Sequence, residues 1–242
     1  MLDIRRALTF MSEDPLASEK VGLGALISLA PILNLAGIGY QVEVARRVAR
    51  GEPKPLPEWN DLKRLWVQGA WLGLAYYLYS LPLLLVVFGG MATVFVGLVL
   101  SLQTEPAQSG ASLPAPPALV VVIFIVLAGA SLVYGLALGL LRPAILAEYV
   151  RRGTLRACFD FGALWRFARQ NVGEYLQLWL AELVLGWIVI LPLLLLIFIV
   201  AFVPFVGPLL VAFVAGGVGF FILLVSSHLV GQLLRARSQS PA

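Results

Sequence analysis

Apolar residues gather in five blocks, each ended by charged, proline or small polar residues. The blocks run from Val21 to about Val44, Trp66 to Leu102, Leu119 to Ala147, Gly173 to Phe202 and Leu209 to Leu234. A membrane-spanning helix needs roughly 20 consecutive apolar residues, and each block is long enough. Barrel strands would instead alternate over segments of about 10 residues. The runs Leu119–Leu127 and Leu193–Val203 do not alternate. The pattern therefore predicts helices, whose backbone polar groups are satisfied within each segment. Pro31, Gly22, Gly24 and Gly37 make the first helix a bent one. Pro204-Phe205-Val206-Gly207-Pro208 reads as a tight turn between the last two.

Between the blocks, the basic residues alternate sides. Segment 45–64 carries Arg46, Arg47, Arg50, Lys54, Lys63 and Arg64, and segment 142–169 carries Arg142, Arg151, Arg152, Arg156, Arg166 and Arg169. The tail adds Arg235 and Arg237, whereas segments 103–117 and 204–208 hold no Lys or Arg. The positive-inside rule puts the basic segments in the cytoplasm and the other two outside. Block 66–102 must then cross once, as a long helix broken near Pro82 or Gly89-Gly90. The expectation is a single all-α membrane domain over 1–242, a polytopic helix bundle of five spans with the N-terminus out and the C-terminus in. A six-span version splits block 66–102 but leaves the basic residues of 45–64 outside. Residues 1–20 read either as an interfacial helix with Ile4, Ala7, Leu8 and Met11 on one face or as a frayed tail. No cleavage site clearly ends the first apolar run, so it reads as a retained span.

The chain also echoes itself. Ala45-Arg46-Arg47-Val48-Ala49-Arg50-Gly51 resembles Ala147-Glu148-Tyr149-Val150-Arg151-Arg152-Gly153, Trp59 parallels Trp165, and Leu81-Pro82-Leu83 parallels Leu191-Pro192-Leu193. This predicts parallel pseudo-repeats over about 21–102 and 118–203, followed by a final span over 209–234. Each repeat holds a basic cytoplasmic elbow. In the first, Pro53, Pro55 and Pro57 forbid a continuous helix. The second, Thr154–Gln170, is helix-compatible and partly amphipathic, with Cys158, Phe161, Leu164 and Trp165 on one side. Arg46, Arg47, Arg50, Arg151, Arg152, Arg156 and Trp165 are the candidate lipid-headgroup contacts. Each Lys or Arg near an anionic leaflet gains roughly 1 kcal/mol.

Gly39-Tyr40, Gly51, and Leu56-Pro57-Glu58-Trp59 with Asp61 resemble the signature of an uncharacterised prokaryotic membrane-protein family, domain of unknown function 4013. The resemblance implies a multi-pass protein of the prokaryotic cytoplasmic (inner) membrane. It supplies no catalytic or ligand residues.

Composition agrees with a lipid environment. The chain is 60% hydrophobic and 12% charged, against about half and a quarter in soluble domains. Its net charge of +4 follows the elbows and does not point to nucleic acid. One Cys, Cys158, excludes an intrachain disulfide. One His, His228, excludes His-pair zinc motifs. No G-x-S-x-G elbow or phosphate loop is present, so no catalytic, cofactor or metal residues are assigned. Gly22/Gly24 and Gly37/Gly39 read as close helix packing. So do Gly69/Gly73, Ser131/Gly135/Gly139 and Ala212/Gly216, within the bundle or in a homo-oligomer. Glu182 and His228 fall at similar depth on adjacent helices, with Gln177 and Gln232 nearby, and form the candidate intramembrane polar site. The expected function is non-enzymatic: organising membrane lipids or a protein partner through the basic elbows. The alternative is a small transporter or channel using Glu182 and His228.

Overall fold

The computed structural model describes residues 2–30, 32–103, 118–170, 172–200 and 206–239. Its regular structure is helical, with no strand among the described residues. The α-helices are α1 (Ile4–Thr9), α2 (Ala17–Leu29), α3 (Asn34–Arg50), α4 (Leu62–Gln103), α5 (Ala118–Arg152), α6 (Phe161–Gln170), α7 (Val172–Val200) and α8 (Val206–Gln239). Short 3-10 turns cover Phe10–Glu13, Trp59–Asp61 and Leu155–Phe159. The expected loop 103–117, apart from Gln103, and the 204–205 part of the expected turn lie outside the described residues.

Among the described residues four helices, α4, α5, α7 and α8, are long and apolar enough to cross a membrane. Block 66–102 lies in one helix, α4, which holds 42 residues and contains Pro82. At 1.5 Å per residue it is about 63 Å long, twice a hydrocarbon core of about 30 Å.

Block 21–44 departs from expectation. It is two short helices, not one bent span. α2 stops at Leu29, and Ala30, next to Pro31 in the sequence, is extended at φ −93°, ψ 119°. That is the backbone a residue before proline prefers. α3 then starts at Asn34 and runs back. Gly24 meets the Phe220 ring, and Gly216 meets Ala25 and Leu29, so α2 is antiparallel to α8. Gly37 also meets Phe220, and Gly231 meets Ala45 and Val48, so α3 is parallel to α8. α2 and α3 are therefore antiparallel arms of a hairpin. Its tip carbonyl at Ile32 accepts a hydrogen bond from the Trp66 indole N–H at 2.9 Å. An unpaired carbonyl at membrane depth is costly, and Trp66 removes that cost.

The N-terminal segment follows the same geometry. Asp3 N–H donates to Gln232 Oε1 at 2.8 Å, Gln232 Nε2 donates to Asp3 O at 3.0 Å, and Phe10 stacks on His228 at 4.4 Å. The buried residues here are Ala7, Phe10 and Met11, whereas Ile4 and Leu8 are exposed. The predicted face was thus rotated by part of a turn.

By contact density the chain forms two compact units, Met1–Tyr76 with Leu141–Ala242, and Tyr77–Leu140. The first holds most of the buried core: Tyr40, Val42, Leu65, Leu72, Ile145, Leu146, Leu164, Phe167, Phe220, Leu224 and Leu229. The second is a pair of helical segments from α4 and α5, joined by Tyr134 Oη donating to Tyr79 O at 2.8 Å. Its Leu85, Phe88, Phe95, Ile125 and Val133 are exposed, as suits side chains facing lipid.

The small-residue stripes separate by role. Gly39 and Gly69 bring the backbones of α3 and α4 together, and a Cβ on either would strike a main-chain carbonyl, Leu65 O or Leu35 O. Gly216 lies against α2, while Gly135 has no neighbour within 4 Å at its Cβ position.

Candidate functional site

The elbows gather where α3, α5 and α8 end. α3 and α5 both stop at a glycine in the left-handed region, Gly51 at φ 76° and Gly153 at φ 66°. An L side chain is strained there. One turn or two before each glycine a buried carboxylate holds the arginines that follow it. Glu43, 5% exposed, lies 2.8 Å from Arg46, 3.6 Å from Arg47 and 3.7 Å from Arg50. Glu148, 1% exposed, lies 2.7 Å from Arg151 and 3.1 Å from Arg152. Sequence reasoning missed both carboxylates, although the signal was present. Glu43-Val44-Ala45-Arg46-Arg47 and Glu148-Tyr149-Val150-Arg151-Arg152 share a Glu-x-x-Arg-Arg spacing. That spacing puts the arginines one helical turn from the acid.

A second shared pattern follows each elbow. Asp61 accepts from Arg64 N–H at 3.1 Å at the start of α4, and Asp160 accepts from Ala163 N–H at 3.0 Å at the start of α6. Five residues beyond each aspartate stand Trp66 and Trp165, each preceded by a buried leucine, Leu65 and Leu164. Trp66, rather than the Trp59 of the expected parallel, stands at the same spacing from its aspartate as Trp165. The Ala163 N–H and then the Arg152 guanidinium, 2.9 Å away, hold the Asp160 carboxyl below its ordinary range.

The signature residues of the first elbow each have a structural task. Tyr40 is fully buried, donates through its hydroxyl to Pro57 O at 2.8 Å, and stacks on Trp59 at 4.4 Å. Trp59 Nε1 donates to Lys20 O at 3.0 Å. The Lys20 ammonium bonds Asp14 at 2.7 Å and Leu56 O at 3.3 Å. Burial raises the Asp14 pKa, but Lys20 and the Leu16 N–H outweigh it and hold that carboxyl below its usual value. Glu58 is exposed and accepts from the Asn60 side chain. Gly39 admits the α4 backbone, Gly51 ends α3, and Asp61 starts α4.

In the second elbow the expected amphipathic face is divided. Cys158 and Leu164 are buried, but Phe161 and Trp165 are exposed, Trp165 at 67%. The 3-10 turn ends at Asp160 and rotates α6 relative to it. Burial pushes the Cys158 thiol up to about 11, so it is protonated at neutral pH.

The arginines converge on one cleft of about 660 Å³ lined by Arg46, Arg50, Arg151, Arg237 and Gln170, with no acidic side chain in its lining. Arg237 lies 3.6 Å over the Phe167 ring and donates to the Phe167 carbonyl. Its Nε is buried without a hydrogen-bond partner among the described residues. Of the other expected headgroup contacts, Arg47 lies 3.7 Å from Glu52, and Arg156 is exposed.

The intramembrane residues do not form the expected pair. Glu182 accepts from Ser226 Oγ. His228 stacks on Phe10 and lies 3.0 Å from Gln232 Nε2. Ser226 and His228 are two residues apart on α8, about 200° around the helix, so they face different neighbours. Gln177 is exposed. Arg142, expected in a cytoplasmic segment, lies within α5 and over the Tyr76 ring at 5.3 Å.

Long apolar helices around a charged helical end define a multi-spanning helical membrane protein. The chain belongs to the family described as Protein of unknown function (DUF4013), whose model matches residues 23–198. No curated protein and no solved structure matches it.

Proposed function

We propose that this chain is a non-enzymatic protein of the prokaryotic inner membrane that organises anionic lipid, or a membrane partner, at the cytoplasmic face. The observation that carries this reading is the meeting of Arg46, Arg50, Arg151 and Arg237, from three separate helices, in one cleft without a lining carboxylate. Exposed Trp165 and Phe161 on α6 suit the headgroup layer, where Trp is enriched. Purification from native membranes tests the reading. Anionic phospholipid enriched over the bulk membrane, or a stoichiometric partner, is the expected result. Bulk lipid composition with no partner would refute it.

The same reading includes a threading of four crossings, α4, α5, α7 and α8, with α2–α3 as a re-entrant hairpin and both termini in the cytoplasm. The antiparallel arms of the hairpin and the bonds from Asp3 to Gln232 support it. It keeps every basic elbow inside with a single crossing for block 66–102. Reporters fused at the N-terminus and at the C-terminus are both expected to read cytoplasmic. An external signal at the N-terminus alone would restore five spans.

A further inference from the structure

We propose that the arginine cleft is a binding site for a single phosphate group, carried by an anionic phospholipid headgroup. This rests on reading the basic end as an anionic-lipid face, and it goes further by naming the ligand chemistry and its seat.

The charge arrangement is the first argument. Helix ends of α3, α5 and α8 carry partial negative charge, which attracts arginine. Glu43 and Glu148 add one carboxylate each. Those demands account for part of the local positive charge. Glu43 is nearest Arg46, at 2.8 Å, and Arg50 lies nearer to Glu52 at 3.2 Å than to Glu43. Glu148 is shared between Arg151 and Arg152, and Arg152 also holds Asp160. No carboxylate lies within 4 Å of the Arg237 guanidinium among the described ion pairs. That guanidinium donates to the Phe167 carbonyl and lies over the Phe167 ring. A guanidinium has five N–H donors; the Arg237 Nε is buried without a hydrogen-bond partner among the described residues, and the donors of the lining arginines that face the cleft are the ones open to a ligand. A phosphate oxygen would take up such donors in a charge-assisted bond.

Size and position are the second argument. The cleft is about 660 Å³, within the roughly 300–1,000 Å³ of small-molecule sites. A smaller recess of about 190 Å³ shares Arg151, Gln170 and Arg237 with it and adds Arg152, Arg166 and the Glu148 carboxylate. Gln170 supplies a neutral donor at the end of α6, the helix that exposes Phe161 and Trp165. A headgroup beside these aromatic side chains lies at the depth where lipid phosphates sit.

The test uses the full-length protein in neutral detergent, titrated with phosphatidylglycerol and read by native mass spectrometry. Arg50→Gln and Arg151→Gln are each expected to weaken binding roughly tenfold, the scale of one charged hydrogen bond. Lys63→Gln, exposed and outside the cleft, is expected to stay within twofold of the unmodified protein. Unliganded melting of each variant establishes that it folds. Arg237→Lys keeps the charge but loses the planar fork, and is expected to bind more weakly than the parent. Oleate, anionic but without phosphate, is expected to bind far more weakly. Equal losses in Arg50→Gln, Arg151→Gln and Lys63→Gln would overturn the cleft while leaving the anionic-lipid reading in place. Oleate binding as tightly as phosphatidylglycerol would overturn the phosphate. No preference for phosphatidylglycerol over phosphatidylcholine would sink both proposals. Inorganic phosphate added as competitor separates the sources. Failure to displace the lipid at millimolar concentration supports a lipid-borne group, and displacement at micromolar concentration would overturn lipid as the ligand in favour of free phosphate.

Discussion

Replacing Gly69 with alanine is expected to lower the stability of the folded protein by about 3 kcal/mol, the upper range for overpacking a close contact. The reason is the identity of what the new methyl would meet. At Gly69 the neighbours are the Leu35 carbonyl and the Gly39 amide, both main chain. Neither can rotate away, so α3 and α4 must separate. Gly73, one turn further along α4, meets only side-chain methyls, Leu35 Cδ2 at 3.0 Å and Ile38 Cδ1 at 3.4 Å. Gly73→Ala is therefore expected to cost about 1 kcal/mol, the lower range for the same effect. Thermal unfolding in a single detergent compares the two. Equal melting temperatures would mean that the backbone crossing does not limit stability. Gly39→Ala should resemble Gly69→Ala, and the double variant should cost less than the sum, because both disrupt one crossing.

Removing the Tyr40 side chain is expected to cost about 4 kcal/mol, as for other large buried aromatic residues. Tyr40→Phe retains the ring stacked on Trp59 and loses only the bond to Pro57 O. A hydrogen bond is worth about 1 kcal/mol net, so Tyr40→Phe should lie much closer to the parent. Limited proteolysis gives a local readout. Tyr40→Ala is expected to open residues 51–60 to cleavage while Tyr40→Phe leaves them protected. If phenylalanine proves as damaging as alanine, the bond to Pro57 and not the ring stack holds the elbow.

Local spacing carried much of the fold. The apolar runs of α4, α5, α7 and α8 marked four crossing-length helices, and of the glycine pairs Gly24 and Gly39 make the expected close packing whereas Gly22 has no neighbour within 4 Å of its Cβ position. The hairpin was not legible from block 21–44 alone. Twenty-odd apolar residues read the same whether they cross or turn back, and the deciding partner, Phe220, stands almost 200 residues away in the chain. Glu43 and Glu148 were hidden for another reason. A carboxylate among arginines usually reads as a solvated face, and only the matched Glu-x-x-Arg-Arg spacing in both elbows separates it from one. The Glu182–His228 pairing failed because depth was read along the helices and rotation about them was not. Arg142 was assigned by charge to a loop, yet α5 continues past it for ten residues.

α8 has a consequence for biosynthesis. It is the surface against which α2 and α3 pack, and it is made after the other described helices, roughly 175 residues after the hairpin tip leaves the ribosome. At about 5–20 residues per second, the hairpin waits roughly 10–35 s for its partner. During that interval a short helix pair with charged ends has lipid, the first elbow and the start of α4 to lean on. The Trp66 bond to Ile32 and the Gly39–Gly69 crossing are both available as soon as α4 emerges. Together with the bonds from Trp59 to Lys20 O and from Tyr40 to Pro57 O, these two contacts can keep the nascent N-terminal hairpin from being pulled through as a span before α8 arrives to lock it.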